Sequence, residues 1–278
     1  MKETVLHLHL ISDSTGETVH QNARAALSQF PNTKITEHIW TLVRTKSHIE
    51  IIDKELARHP GVVLYSVMDA QIRAELEKVC RRHSVPSLSI LDEVVDLFSR
   101  FLGTEVSQRP GAQHKLDDAY FKRMAAVEFA VTHDDGMNMD RLHEAEILLV
   151  GVSRTSKTPT SMYLAHRGFR VANYALVPHL PFPEHYLTPN NLFVIGLVSD
   201  PRRLVQIRKN RLQHLSDDTN IGYADISKIT DEMTTAKRLF HKMGWPVLDV
   251  TRRSIEETAA AIIHLYNQWR DKQMDEEK

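Results

Sequence analysis

Apolar runs and amphipathic stretches alternate along the first hundred residues. Residues 5–11 are a short β-like run, and residues 62–67 have the continuous apolar character of a strand in a parallel sheet. Residues 49–58 and 69–83 carry apolar side chains at helical spacing. This alternation predicts a doubly wound α/β domain over residues 1–105, with further strands at 35–43 and 86–90 and a helix at 91–102.

The alternation stops between residues 103 and 118, where Arg109, Pro110 and Gly111 mark a connecting loop. We predict a connecting segment over residues 106–145 with a helix at 120–131 and the turn His133-Asp134-Asp135-Gly136. From residue 146 to 278 the pattern predicts a second α/β domain. Its elements are a strand to Val150, a helix at 157–166, strands at 171–177 and 192–198, a helix at 201–214, a loop around 217–220, a helix at 226–243, a strand at 246–250, a helix at 254–270 and a frayed tail at 272–278.

Residues 151–159 read Gly-Val-Ser-Arg-Thr-Ser-Lys-Thr-Pro and lie between an apolar run and a predicted helix. A buried strand, a turn of small residues with lysine and threonine, and a helix together form a phosphate-binding loop. Gly151, Lys157 and Thr158 match the first, seventh and eighth places of the pattern Gly-x-x-x-x-Gly-Lys-Ser/Thr. Ser156 replaces the second glycine, and serine takes a positive φ less easily than glycine does.

The chemistry of such a loop assigns a role to each side chain. Backbone N–H groups surround the phosphates, Lys157 neutralises a β-phosphate, and Thr158 offers its hydroxyl to Mg²⁺. Arg154 adds a second cation to the loop. With this loop, residues 146–278 are predicted to be a P-loop kinase-like α/β domain. The alternative is an ordinary strand-to-helix turn whose lysine and arginine face solvent. The candidate nucleotide-binding residues are Gly151, Val152, Ser153, Arg154, Thr155, Ser156, Lys157 and Thr158.

Two charged stretches flank this loop in the sequence. Asp134 and Asp135 can hold Mg²⁺ or take a proton from a hydroxyl nucleophile, although Asp-Gly is also a common turn sequence. Downstream, Arg203, Ile207 and Arg211 are spaced four apart, which gives a helix face suited to phosphoryl groups or simply a solvated face.

Charge, length and composition bear on which partners and which location the chain can have. The chain has 278 residues and a formal net charge of −1, so we expect no nucleic-acid partner. No stretch approaches the length of a membrane span and no signal peptide is evident, which predicts a cytoplasmic location without a membrane partner. Cys80 is the single cysteine, in a helical pattern that favours a packing role, and the histidine spacing does not favour zinc.

The first strand also ends in a hydroxyl-rich turn, Ser12-Asp13-Ser14-Thr15-Gly16-Glu17-Thr18. This turn can be a helix cap, or it can bind phosphate through backbone N–H groups and hydroxyls.

Three motifs together resemble one family: the loop at 151–161, the turn at Ser12 to Thr18 and His133-Asp134-Asp135-Gly136. The chain is similar from Leu6 to Trp269 to the bifunctional regulatory protein of pyruvate, phosphate dikinase, whose relatives regulate phosphoenolpyruvate synthase. The resemblance implies phosphorylation of a Thr or Ser of the dikinase with ADP, and its reversal by inorganic phosphate with release of pyrophosphate. It also implies that the loop from Gly151 to Thr158 is the ADP site.

Thr155-Ser156 and Asp13-Ser14-Thr15 resemble the branch that acts on the dikinase, so we favour the dikinase as protein partner over phosphoenolpyruvate synthase. We expect Lys157 and Arg154 to hold the phosphates, Thr158 and a carboxylate to hold Mg²⁺, and Asp134 or Asp135 to handle the hydroxyl proton. The N-terminal domain is the expected docking surface, and a homodimer is compatible with the sequence. The competing hypotheses are a non-catalytic ADP-sensing adaptor and a small-molecule kinase.

Overall fold

The computed structural model describes residues 5–107, 118–187, 192–215 and 223–276. The predicted loop at Arg109-Pro110-Gly111 and the loop at 217–220 lie outside these residues. The chain divides into two compact units, Met1–Lys115 and Leu116–Lys278. This boundary falls inside the predicted connecting segment and assigns its helix and acidic turn to the second unit.

In the first unit, strands and helices alternate through the described residues, as predicted. They are β1 (Val5–Ser12), α1 (Glu17–Leu27), β2 (Lys34–Trp40), α2 (Lys46–Arg58), β3 (Val62–Ser66), α3 (Ala70–Arg82), β4 (Ser87–Ser89) and α4 (Asp92–Leu102). The strands form a parallel sheet in the order β2-β1-β3-β4, with His9 of β1 opposite His38 of β2 and Val63 of β3.

Both faces of this sheet are covered by helices. Leu8 and Leu10 of β1 pack with Val19 of α1 on one face. Ile11 points to the other face because successive side chains of a strand alternate, and there it joins a core with Ile52 of α2 and residues of α3. The predicted doubly wound α/β architecture is therefore confirmed for this unit. Cys80 of α3 is buried in that core, and burial raises the pKa of its thiol, as a packing role requires.

The second unit begins with α5 (Asp118–Thr132), followed by 3-10 helices at Asp134–Gly136 and Met139–Glu144. The α/β alternation then runs through β5 (Ile147–Val152), α6 (Lys157–His166), β6 (Val171–Leu176), a 3-10 helix at Glu184–Tyr186, β7 (Phe193–Val198), α7 (Pro201–Leu215), α8 (Ile226–Lys242), β8 (Val247–Asp249) and α9 (Ile255–Glu276). Two expectations are corrected. The polar link before β5 contains a 3-10 helix anchored by buried Met139 and Leu142, and the last helix continues through the predicted tail to Glu276.

The second sheet is also parallel, in the order β6-β5-β7-β8. β5 is buried along its whole length, with Leu148 facing a core that includes Phe129 and Phe240, and Leu149 facing one that includes Ile262. After β6 the chain crosses over to the other side of β5 to form β7. The loop that follows β5 therefore lies at the point where strand order reverses, which is where open α/β sheets bind ligands.

None of the helices in the described ranges combines the length and the apolar character that a membrane span requires.

Candidate functional site

The turn between β5 and α6 places two residues other than glycine, Arg154 and Ser156, at positive φ. Ser156 lies in the left-handed region at φ 58° and ψ 24°, and Arg154 also has a positive φ of 77°. The Ser156 side chain makes no capping hydrogen bond to α6. Serine therefore adopts the conformation that the pattern usually reserves for glycine, and the loop carries local strain.

We expect Ser156→Gly to raise the free energy of unfolding by about 0.5–1 kcal/mol, because glycine takes a positive φ without the Cβ penalty. Urea unfolding of the purified chain measures this. The matched control is Ser227→Gly, the same change at an exposed residue in the first turn of α8, where it should lower stability by a similar amount. A loss of stability in Ser156→Gly would show that the loop carries no such strain.

Inside the turn, two side chains fold back onto the end of β5. The Thr155 hydroxyl and the Lys157 ammonium each donate to the Val152 carbonyl oxygen, both at 3.0 Å. Gly151 allows the loop to pass close to β7, because a Cβ there would lie 2.7 Å from Thr155 Oγ1 and 2.8 Å from the Leu197 carbonyl oxygen. The loop is thus held compactly by its own residues.

Lys157 is a buried cation. Its side chain is 6% exposed, so the alternative of a solvent-facing lysine is wrong. The pKa of Lys157 is lowered to about 8, mainly by burial. The negative charges of Asp135 and Asp134 oppose this lowering, and the positive charges of Arg154 and Arg208 add to it. A desolvated cation attracts an anion more strongly than a hydrated one.

The structure brings the acidic turn to the same loop. Thr158 Oγ1 donates to Asp134 Oδ1 at 2.8 Å, although the two residues are 24 positions apart. Asp135 is exposed and its backbone is left-handed, at φ 52° and ψ 38°. Gly136, with φ 84°, stands over the ring of Tyr174, where a Cβ would come within 3.0 Å. Asp134 is therefore engaged with the loop, and the carboxylate of Asp135 is open to solvent.

The first half of the loop is held by residues that the sequence did not single out. Tyr223 Oη lies 3.0 Å from Ser153 Oγ and accepts from Arg154 Nε at 3.3 Å. Burial raises the pKa of Tyr223, but these hydrogen bonds and the charges of Arg154 and Arg208 outweigh it, so the net pKa is lowered. The Tyr223 hydroxyl thus fixes the direction of the Arg154 side chain.

Arg208 of α7 connects this group to the rest of the unit. It is 1% exposed, forms an ion pair with Glu232 of α8 at 2.7 Å, and donates to the carbonyl oxygens of Ser153 and Tyr223 at 3.2 and 3.1 Å. Its guanidinium also lies 4.7 Å from the centre of the Tyr223 ring. A buried arginine with these partners holds the loop rigidly against two helices.

The predicted basic face of α7 does not supply the arginine that contacts the loop. Arg203 and Arg211 are exposed, and Arg208, outside that predicted stripe, is the arginine that reaches the loop. The available signal was its position four residues after the buried Leu204, on the apolar side of the helix. Asn173 was also missed. It lies in β6, contacts both aspartates, and was recognisable as a polar residue within an otherwise apolar strand.

The hydroxyl-rich turn of the first unit is largely occupied with its own structure. Asp13 is buried and accepts from the Met68 N–H at 2.6 Å, and Ser12 Oγ lies 3.1 Å from Ser66 Oγ. Gly16, not a hydroxyl side chain, is the first residue before α1, with φ 81°. A phosphate-binding role for this turn stays a prediction.

Among the described residues, no three His, Cys, Asp or Glu side chains group in a way that could hold a metal ion by themselves. Mg²⁺ at nucleotide sites uses one or two protein oxygens together with phosphates and water. Thr158 Oγ1 and the Asp134 carboxylate are oxygen groups 2.8 Å apart that fit such an ion.

Comparison with known proteins places these features in context. Residues 8–263 match the protein family described as kinase/pyrophosphorylase. A pyruvate, phosphate dikinase regulatory protein of Erythrobacter litoralis (strain HTCC2594) is 50% identical over 263 residues, which cover 95% of each chain. A protein of the same name from Novosphingobium aromaticivorans is 47% identical over 95% of this chain and 94% of its own. A third, from Bartonella bacilliformis, is 42% identical over 99% of this chain and 98% of its own.

Proposed function

The chain belongs to the kinase/pyrophosphorylase family, and from that membership we propose that it regulates pyruvate, phosphate dikinase in both directions. It phosphorylates a Thr or Ser of the dikinase with ADP, and it removes that phosphoryl group with inorganic phosphate, releasing pyrophosphate. The relatives that carry the dikinase regulator name support this target. The observation that carries the proposal is the contact between Thr158 of the loop and Asp134 of the acidic turn.

In the kinase direction the loop binds the two phosphates of ADP. Backbone N–H groups of the loop, the buried Lys157 and the Arg154 guanidinium held by Tyr223 face the phosphate charge. Mg²⁺, when bound, neutralises charge on the phosphates, and Thr158 and Asp134 are the residues that would hold it. The target hydroxyl oxygen forms a bond to the β-phosphorus, the bond from that phosphorus to the bridging oxygen breaks, and AMP leaves.

We assign the proton of the target hydroxyl to Asp135. Asp134 Oδ1 already accepts hydrogen bonds from Thr158 and Asn173, whereas Asp135 is exposed and therefore accessible to a target hydroxyl. In the reverse direction a phosphate oxygen attacks the phosphorus of the modified residue, pyrophosphate forms, and Asp135 returns the proton to the released hydroxyl. One carboxylate and one loop then serve both reactions, because in each the target oxygen and the second reacting oxygen lie in line on opposite sides of the transferred phosphorus.

The direct test is incubation of the purified chain with ADP labelled in the β-phosphate and with purified dikinase. Label on a Thr or Ser of the dikinase, lost again as pyrophosphate when inorganic phosphate is added, is the expected result. Bound nucleotide without transfer would instead support the ADP-sensing adaptor, and label on a metabolite would support a small-molecule kinase. Phosphoenolpyruvate synthase in place of the dikinase is the control for target choice.

A further inference from the structure

Asn173 is a fully buried polar residue whose side chain is committed to the acidic turn. Its Nδ2 donates to Asp134 Oδ1 at 2.6 Å, and its Oδ1 accepts from the backbone N–H of Asp135 at 3.1 Å. The remaining Nδ2 hydrogen reaches Ser161 Oγ of α6 at 3.3 Å. Only one orientation of the amide satisfies an acceptor at Asp134 and a donor at Asp135 together, so its assignment is fixed by its partners.

Packing alone does not call for an asparagine at this place. Its neighbours in β6, Val171 and Ala172, are buried and apolar, and burying an amide costs free energy unless every polar group is bonded. Here each of those groups is bonded, and two of the three partners belong to the aspartates. The strand backbone adds a further bond, from the Asn173 N–H to the His133 carbonyl oxygen at 3.1 Å.

The two bonds act on the aspartates in different ways. The amide N–H holds the carboxylate of Asp134 on the side of Thr158. The amide oxygen holds the backbone of Asp135 in a left-handed conformation that an aspartate does not favour by itself.

We propose that Asn173 is a positioning residue that sets both carboxylates of the acidic turn for phosphoryl transfer. The role rests on the proposed function and extends it to a residue that touches neither nucleotide nor target. Loss of Asn173 frees the Asp134 carboxylate to rotate and allows the Asp135 backbone to relax, so the proton acceptor leaves its place while the phosphate loop stays intact.

The test is a kinetic comparison of wild type, Asn173→Ala and Ser161→Ala with ADP and the dikinase. We expect Asn173→Ala to lower kcat by about 10²-fold in both directions, because small displacements of a reacting group have effects of this size. Its Kd for ADP, measured directly without the dikinase, should stay within about 3-fold, and this also reports that the variant is folded. Ser161→Ala removes the longest of the three Asn173 contacts, together with a bond from Ser161 Oγ to the Thr158 carbonyl oxygen within α6, and should keep kcat within about 3-fold.

A double-mutant cycle then separates positioning from general damage. In an Asp135→Asn background at saturating Mg²⁺, Asn173→Ala should lower the remaining rate by less than about 3-fold, because the proton acceptor that Asn173 places is already gone and saturating Mg²⁺ offsets a displaced Asp134. Full additivity of the two losses would overturn the role, as would wild-type rates in Asn173→Ala. If Asn173→Ala does not fold, Asn173→Ser, which keeps one donor, replaces it in the same cycle with the same criteria. Wild-type chain without any transfer would overturn the proposed function and this role with it.

Discussion

Replacing Lys157 with methionine is expected to slow both phosphoryl transfers by about 10²–10³-fold, the usual effect of removing one group that stabilises transition-state charge. Methionine has nearly the same length and keeps the buried site filled, so the change isolates the charge. Lys157→Ala should cause a loss at least as large, because it also leaves a cavity.

The same substitution should make the fold more stable. The pKa of Lys157 falls from 10.5 to about 8 in the folded chain, so at pH 7 its burial in charged form costs folding about 3 kcal/mol. Between pH 8 and pH 10.5 Lys157 binds more proton in the unfolded chain than in the folded one, so the contribution of this residue to wild-type stability rises with pH across that window. The gain in Lys157→Met should therefore be complete below pH 8 and disappear above pH 10.5.

Both effects are measured on the same purified variants, by transfer of label from β-labelled ADP and by urea unfolding at several pH values. Lys242→Met is the matched control, since Lys242 is exposed and pairs only with Glu184 at the surface among the contacts described for it. It should leave the transfer rates and the pH dependence of stability unchanged. Wild-type transfer rates in Lys157→Met and Lys157→Ala would contradict the role given to this lysine.

The sequence was informative wherever a signal was local. β5 and α6 follow from an apolar run and a helical pattern, and α6 begins at Lys157 and ends at His166 as predicted. The conformation of Ser156 could not be predicted in this way, because serine disfavours the positive φ that its backbone adopts. The loop is stabilised by contacts of Thr155 and Lys157 with the end of β5, and those contacts outweigh the preference of a single residue.

The contacts that organise the candidate site are non-local. Asp134 meets Thr158 because β6 lies beside β5 and because Asn173 fixes the acidic turn against it, a relation that spacing along the chain does not contain. Arg208 and Tyr223 were missed for the same reason, since α7 and the segment before α8 meet the loop only in the folded unit. For Asn173 and Arg208, a polar residue inside an apolar strand or on the apolar side of a helix was the usable sign.

Replacing Asp134 and Asp135 separately by asparagine should have different effects on the transfer rates. Asp135→Asn removes the proton acceptor and is expected to lower both transfer rates by about 10²–10⁴-fold at any Mg²⁺ concentration. Asp134→Asn keeps an oxygen for Thr158 but loses the negative charge, so it should raise the Mg²⁺ concentration needed for half-maximal rate by about 10-fold or more. Its rate should recover as Mg²⁺ is increased.

Single-turnover transfer of label across a Mg²⁺ titration distinguishes the two variants, with Asp140→Asn, at an exposed acid of the next 3-10 helix, as the control. A loss in Asp134→Asn that Mg²⁺ does not restore, together with a mild effect of Asp135→Asn, would exchange the two assignments. In the proposed mechanism Asp135 acts on the target hydroxyl in one reaction and on the departing hydroxyl in the other, so Asp135→Asn must slow both reactions. A loss confined to one direction would mean that the two reactions use different proton carriers.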